Sequence, residues 1–214
     1  MNKKRARRIL FSLVASLFLL ACNCNTIQSL IATPTPTLTA TPLPTATPVP
    51  TSTPADPADA ALTLADMPPG FDVVAAEDMG LNPADYLSVF AFMNVADFEI
   101  VYGFNNIYES TTDLAGLSLA IDNPDLMMEA LASGMDLDPT DMETFAVTGV
   151  GESACGIGAT GNMEGIMMRM EIVMFLRGNI GSTLILMYQN DQAPGASIID
   201  LARIWDGRLA QANP

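Results

Sequence analysis

Residues 165–188 read GIMMRMEIVMFLRGNIGSTLILMY, and their apolar pattern decides the fold class. Two runs with strand-like composition, 165–177 and 180–188, flank the turn dipeptide Gly178-Asn179. Such a pair of runs around a two-residue turn predicts a β-hairpin. The alternation in the first run predicts one face with Met168, Met170, Ile172, Met174 and Leu176, and an opposite face with Arg169, Glu171, Val173, Phe175 and Arg177.

The segments on either side of this hairpin extend the prediction to a whole domain. Segments 144–150 and 154–160 read as two further strands of an antiparallel meander. After Pro194-Gly195, apolar residues recur at helical spacing, which predicts a final amphipathic helix with Trp205 as a core anchor. These residues are Ile198, Leu201, Ala202, Trp205 and Leu209. We therefore predict the α+β class, with helices packed on an antiparallel sheet.

The first part of the domain gives weaker signals. Asn82-Pro83 is a helix-start pair and predicts a helix over 83–93, and Asn123-Pro124 predicts another over 124–133 with Gly134 as its stop. Alternation predicts strands over 98–104 and 117–121.

The beginning of the chain indicates export. Five cations in residues 3–8 precede an apolar run over 9–21, which at 13 residues is short for a membrane span; a span takes about 20 residues. Leu19-Leu20-Ala21-Cys22 follows and resembles the lipobox of bacterial lipoproteins. The resemblance covers only the first 22 residues. It implies that 1–21 is a signal peptide, that Cys22 receives a diacylglycerol through a thioether, and that this lipid anchors the mature chain.

Two other interpretations of the first 22 residues stay open, an uncleaved membrane anchor and ordinary signal-peptide cleavage without lipid. Two acyl chains on Cys22 would hold the chain on a membrane stably, where one would not. Cys24 is either a free thiol near the membrane or one half of a disulfide.

Residues 22–57 predict a disordered Thr/Pro-rich tether between the anchor and the domain. Of the 22 residues in 33–54, nine are Thr and seven are Pro. Proline fixes φ and removes backbone donors, so the segment predicts an extended spacer with the character of polyproline II. Its threonines are candidates for O-glycosylation. We expect one acidic α+β domain over 58–214.

Charge narrows the classes of partner. After Cys22 the only cations are four arginines, and against 24 Asp and Glu they leave a net charge of −20. This balance excludes nucleic acid, whose phosphates require Lys and Arg. It favours either a cationic partner or plain solubility.

Two stretches resemble a cofactor-binding or a catalytic motif, but each lacks a feature that its motif requires. Residues 156–161 match GxGxxG, but an alternating strand follows where a dinucleotide site requires a helix. Residues 151–155 nearly spell a nucleophile elbow, but the chain has no His and the predicted mature chain has no Lys to serve as a base. We expect Cys155 to be a buried apolar residue or, alternatively, the disulfide partner of Cys24.

The densest acidic stretch contains Asp136, Asp138, Asp141 and Glu143. Four carboxylates in eight residues could supply part of a Ca²⁺ shell, which takes six to eight oxygens. The spacing does not match an EF-hand loop, and a solvated acidic loop is the alternative.

The sequence therefore predicts a lipid-anchored lipoprotein on the extracytoplasmic face of the cell membrane. We expect a non-enzymatic extracellular binding or sensing module without a cofactor, whose candidate partners are an extracellular protein or the cell wall. The alternatives are a structural envelope protein that contacts the cell wall, a Ca²⁺-dependent binding domain and an enzyme that uses only carboxylates or metal. The residues do not identify a family for the domain.

Overall fold

A computed structural model describes residues 56–135, 141–163 and 165–212. Their strands are β1 (Asp72–Val73), β2 (Ser88–Asn94), β3 (Glu99–Ile107), β4 (Met142–Phe145), β5 (Ser153–Met163), β6 (Ile166–Arg177) and β7 (Ile180–Gln189). Their α-helices are α1 (Thr111–Asp122), α2 (Pro124–Met135) and α3 (Ile198–Ala212). Short 3₁₀ helices occupy Pro57–Ala60, Leu64–Asp66, Ala76–Met79 and Pro83–Asp85.

All seven strands form one antiparallel sheet in the order β1-β2-β3-β7-β6-β5-β4. The predicted hairpin is confirmed as β6 and β7, which pair from Met168↔Gln189 to Arg177↔Ile180. Gly178 has φ 58 in the turn between them, a value that favours glycine over residues with a Cβ atom. The α+β class with an antiparallel sheet is therefore confirmed.

Helices cover both faces of the sheet, and each face has its own apolar cluster. We call the side on which Val173 and Phe175 of β6 pack with Trp205 the α3 face. We call the side on which Ile172 and Met174 pack with Ile121 and Leu131 the α1–α2 face. The alternation predicted for β6 is thus confirmed.

The prediction for α3 is also confirmed. Its buried residues are Ile198, Leu201, Ala202, Trp205, Asp206, Leu209 and Ala212. Trp205 is fully buried between Phe90 and Phe175, with ring centroids 4.9 and 5.6 Å away in edge-on orientation. Such edge-to-face pairs add about 1 kcal/mol each beyond burial of area.

Two predicted elements are wrong. Residues 83–93, predicted as a helix, form a single 3₁₀ turn followed by β2. Because residues on both sides of β2 are covered, its sequence lacks the alternation of apolar and polar residues that would have predicted a strand. The strand predicted over 117–121 lies inside α1. Ser110 caps that helix by accepting hydrogen bonds from the backbone N–H groups of Thr112 and Asp113.

Other boundaries differ from their predictions by a few residues. The strand predicted over 98–104 is β3, and the helix predicted over 124–133 is α2, in which Gly134 lies inside the helix instead of ending it. The strand predicted over 144–150 is β4, which begins and ends earlier, at Met142 and Phe145. The strand predicted over 154–160 lies within β5.

Candidate functional site

The candidate site lies at one end of the α3 face, where polar side chains replace the apolar cluster. Arg169 and Glu171 come from β6, Glu143 from β4 and Tyr188 from β7. Glu143 and Glu171 both pair with Gly158 of β5, and Arg169 pairs with Tyr188. Since directly paired residues of antiparallel strands point to the same side, the sheet register gathers these four side chains.

Two glycines of β5 explain the GxGxxG match. A Cβ atom at Gly156 would lie 2.4 Å from the Phe145 ring, and one at Gly158 would lie 2.1 Å from the Arg169 guanidinium. These glycines therefore let both side chains lie flat across β5. The motif is part of a strand that is flanked by strands, and it does not form the strand-to-helix turn of a dinucleotide site.

Arg169 is held between several neighbours. It forms an ion pair with Glu143 and donates to the Thr160 hydroxyl at 3.4 Å. Its side chain is only 16% exposed, whereas that of Glu143 is 65% exposed. The positive charge of the Arg169 guanidinium is therefore already balanced by the Glu143 carboxylate.

Tyr188 fixes the position of Glu171. The Tyr188 hydroxyl donates to Glu171 Oε1 at 2.9 Å. Burial raises the pKa of Tyr188 to about 12, and the hydrogen bond to Glu171 and its charge add to the rise, while Arg169 opposes it. The phenol therefore stays a proton donor at neutral pH. The other oxygen of Glu171, Oε2, has no hydrogen-bond partner within the described ranges.

Beside Glu171 the surface opens into a groove of about 360 Å³, which we call the Glu171 groove. Phe145 and Glu171 form one wall, and the chain entering α3 forms the other, with Pro194, Gly195, Ala196, Ser197, Ile198 and Ile199. Glu171 is the one titratable side chain among the described residues that line it. The groove therefore combines one carboxylate with walls that are part apolar and part polar.

Another carboxylate, outside the lining of the groove, occupies the backbone donors at the start of that wall. Glu99 is 1% exposed and accepts from the backbone N–H groups of Gly195 and Ala196, both at 2.9 Å. Ser197 Oγ accepts from the backbone N–H of Asp200 at 3.3 Å. These three N–H groups are therefore not free to hold an anionic ligand.

A second cavity, of about 350 Å³, lies between β1, β2 and the chain before them. Leu62, Leu64, Val73, Val89 and Phe92 are among its lining residues. No described residue that lines it is titratable. It thus offers apolar contact without a charged group to orient a ligand.

All four arginines of the described residues have carboxylate partners. Besides Arg169, Arg177 binds Asp206 through two hydrogen bonds of 2.8 and 2.6 Å. Arg208 binds Asp66 through two of 2.9 and 2.7 Å. The fourth is Arg203, which binds Asp200 at 2.9 Å. The other carboxylates of the domain therefore leave its surface strongly acidic.

The residues predicted for a Ca²⁺ site divide into two groups. Asp136 and Asp138 lie outside the described residues. Asp141 is exposed just before β4, and Glu143 is the partner of Arg169. Within 56–135, 141–163 and 165–212, no group of three His, Cys, Asp or Glu side chains could hold a metal ion.

The cysteines contribute little to the described site. Cys22 and Cys24 lie outside the described ranges. Cys155 is a buried free thiol on the α1–α2 face, and burial raises its pKa to about 11. A thiol with such a pKa is a poor nucleophile at neutral pH.

The chain matches no protein-family model, no curated protein and no solved structure. In the part of the chain that the structure describes, no helix has both the length and the apolar character to cross a membrane.

Proposed function

We propose that this chain is a lipid-anchored surface lipoprotein whose acidic domain binds a cationic partner outside the cell and is not an enzyme. The observation that carries the proposal is the complete pairing of the four arginines with carboxylates. The remaining carboxylates have no cations of the domain to offset them, so the domain attracts positive partners and repels anionic ones. The lipobox-like sequence at 19–22 supports the anchor.

The anchor and the binding have separate tests. Mass spectrometry of the mature protein is expected to show an acylated N-terminal Cys22, and an unmodified or uncleaved N-terminus would contradict the anchor. For the binding, the full mature chain in detergent micelles is titrated with a basic peptide and with an acidic peptide of equal length.

We expect the basic peptide to bind, with an affinity that falls as salt increases, and the acidic peptide not to bind. Equal binding of both peptides, or of neither, would overturn the proposal. Sedimentation with purified cell-wall material in the absence of any basic peptide would favour the structural envelope role instead.

A further inference from the structure

We propose that the Glu171 groove binds the side chain of a lysine presented by a basic polypeptide. This inference rests on the proposed function, since it names the group of the cationic partner that the domain recognises. It is carried by the geometry of one carboxylate in a groove whose lining is part apolar and part polar.

The Glu171 carboxylate is oriented before any ligand arrives. The Tyr188 hydroxyl holds Oε1, and the partly buried position of Glu171 in β6 restricts its motion. Because a hydrogen bond already fixes one oxygen, little side-chain entropy remains to be lost when a cation binds the other.

The groove selects against anions. Glu143 matches the charge of Arg169, and Glu99 takes the N–H groups of Gly195 and Ala196. No arginine in the described ranges is left unpaired to bind an anion beside Glu171. The electrostatic potential in the groove is therefore negative and comes from the Glu171 carboxylate.

The hydrogen bond from Tyr188 to Glu171 favours lysine over arginine. A guanidinium binds a carboxylate best when both of its oxygens accept a fork of two N–H donors. In this groove the Tyr188 hydroxyl already takes one acceptor position of Oε1, so fewer positions remain for a fork of two donors than on a free carboxylate. A lysine ammonium is a compact point charge that can use one oxygen without loss of geometry.

The apolar part of the groove lining matches the aliphatic part of a lysine side chain. Phe145, Pro194 and Ile199 line the groove and are only partly buried. Lysine buries its methylene groups on apolar surface while its ammonium reaches a polar partner. A volume of about 360 Å³ is sufficient for such a side chain.

The test uses the mature full-length protein in detergent micelles and three short probe peptides that differ at one residue. The central residue is lysine, arginine or N-acetyl-lysine, and the flanking residues are glycine. Binding is followed by NMR chemical shifts of the backbone amides, including Glu171 and Ile199. We expect the lysine peptide to bind at least 10-fold more tightly than the acetyl-lysine peptide and more tightly than the arginine peptide.

Two variants with the same change in charge separate the groove from the general acidity. Glu171→Gln is expected to weaken lysine binding at least 10-fold. Glu109→Gln removes an exposed carboxylate that does not line the groove, and is expected to change binding less than 2-fold. Equal losses in both variants, or no loss in Glu171→Gln, would overturn the groove assignment while leaving the proposed cationic partner intact.

Tyr188→Phe tests the effect of this hydrogen bond directly. Without the phenol hydroxyl, all acceptor positions of Glu171 Oε1 become available, so we expect the preference for lysine over arginine to shrink or reverse. An unchanged preference would contradict the role given to Tyr188. If Glu171→Gln proves unfolded by circular dichroism, the shift map of the wild-type protein decides, and shifts that avoid Glu171 and Ile199 overturn the inference.

Discussion

The two faces of the sheet are packed with different kinds of side chain. On the α3 face, the rings of Phe90, Phe175 and Trp205 meet edge to face, and Arg177 bonds to Asp206 on α3. On the α1–α2 face, methionines are more numerous, although the rings of Tyr86 and Phe104 also meet there at 4.8 Å, and none of the four arginine ion pairs lies there. Its methionines are Met79, Met93, Met127, Met128, Met142, Met170, Met174 and Met187.

This difference explains where the candidate site lies. Aromatic rings, and ion pairs that are held by two hydrogen bonds, allow few alternative arrangements, whereas methionine side chains adapt to irregular space. The Glu171 groove uses the entry to α3 as one wall, so its shape depends on how firmly α3 is placed. The face that is packed with rigid side chains is therefore the one that carries a preformed groove.

The largest expected contrast comes from the same substitution on the two faces. Leu209 on α3 is fully buried, and Leu131 on α2 is 2% exposed. We expect Leu209→Ala to lower the free energy of unfolding by about 4 kcal/mol and Leu131→Ala by about 2 kcal/mol. The cost is smaller on the α1–α2 face because methionines can move into the cavity. Urea denaturation measures both, and equal losses would contradict the contrast.

The ion pairs that hold α3 provide the next test. Arg177→Ala leaves Asp206, whose side chain is 8% exposed, without its partner. We expect a loss of about 2 kcal/mol, less than for a fully buried pair because Arg177 is 25% exposed. The control is Arg203→Ala, whose pair with Asp200 is exposed, and we expect a loss below about 0.5 kcal/mol. Thermal and urea unfolding together show whether the two losses separate.

Acid is expected to loosen the α3 face selectively. Burial acts to raise the pKa of Asp66, but hydrogen bonds from Arg208 and Thr63 and the Arg208 charge outweigh it, so that this pKa lies below 3.8. A lowered carboxyl pKa stabilises the fold above the pKa of the unfolded chain, and this stability is lost as pH falls through the folded value.

We therefore expect the stability difference between the wild type and Asp66→Asn to be constant near neutral pH and to shrink below about pH 4. The measurement is the urea midpoint of both proteins between pH 7 and pH 2.5. Asp72→Asn serves as the control because Asp72 is exposed and belongs to none of the four ion pairs. A difference that grew on acidification would reverse the assigned direction.

The β6–β7 hairpin and α3 were predictable for different reasons. The hairpin is marked by two apolar runs around the turn dipeptide Gly178-Asn179, although β6 is buried on both faces from Ile172 to Leu176. In α3 the buried residues recur at helical spacing. In α1, the alternation over 117–121 fits a strand equally well. The structure instead packs Leu114, Leu117 and Ile121 on the sheet at helical spacing and leaves Leu119 60% exposed. Local pattern could not choose between these two arrangements.

Much less of the candidate site was predictable. Alternation placed Arg169 and Glu171 on one face of β6, and the structure confirms that placement. The groove also requires that β4, β6 and the entry to α3 come together. It requires as well the hydrogen bonds from the N–H groups of Gly195 and Ala196 to Glu99, which lies 96 residues before Gly195 in the chain. Such long-range contacts leave no local signal in a single sequence.

The smallest expected effect comes from two neighbours in β6 that point to opposite faces. Phe175 is fully buried on the α3 face, and Met174 is 6% exposed on the α1–α2 face. We expect Phe175→Leu to cost about 1.5 kcal/mol, because it removes a ring that packs edge-on against Trp205. Met174→Leu nearly conserves volume in an adaptable layer, so we expect a loss below about 0.5 kcal/mol. If chemical denaturation gave the larger loss to Met174→Leu, the methionine layer would be packed as specifically as the aromatic one, and the stated reason for the position of the groove would no longer hold.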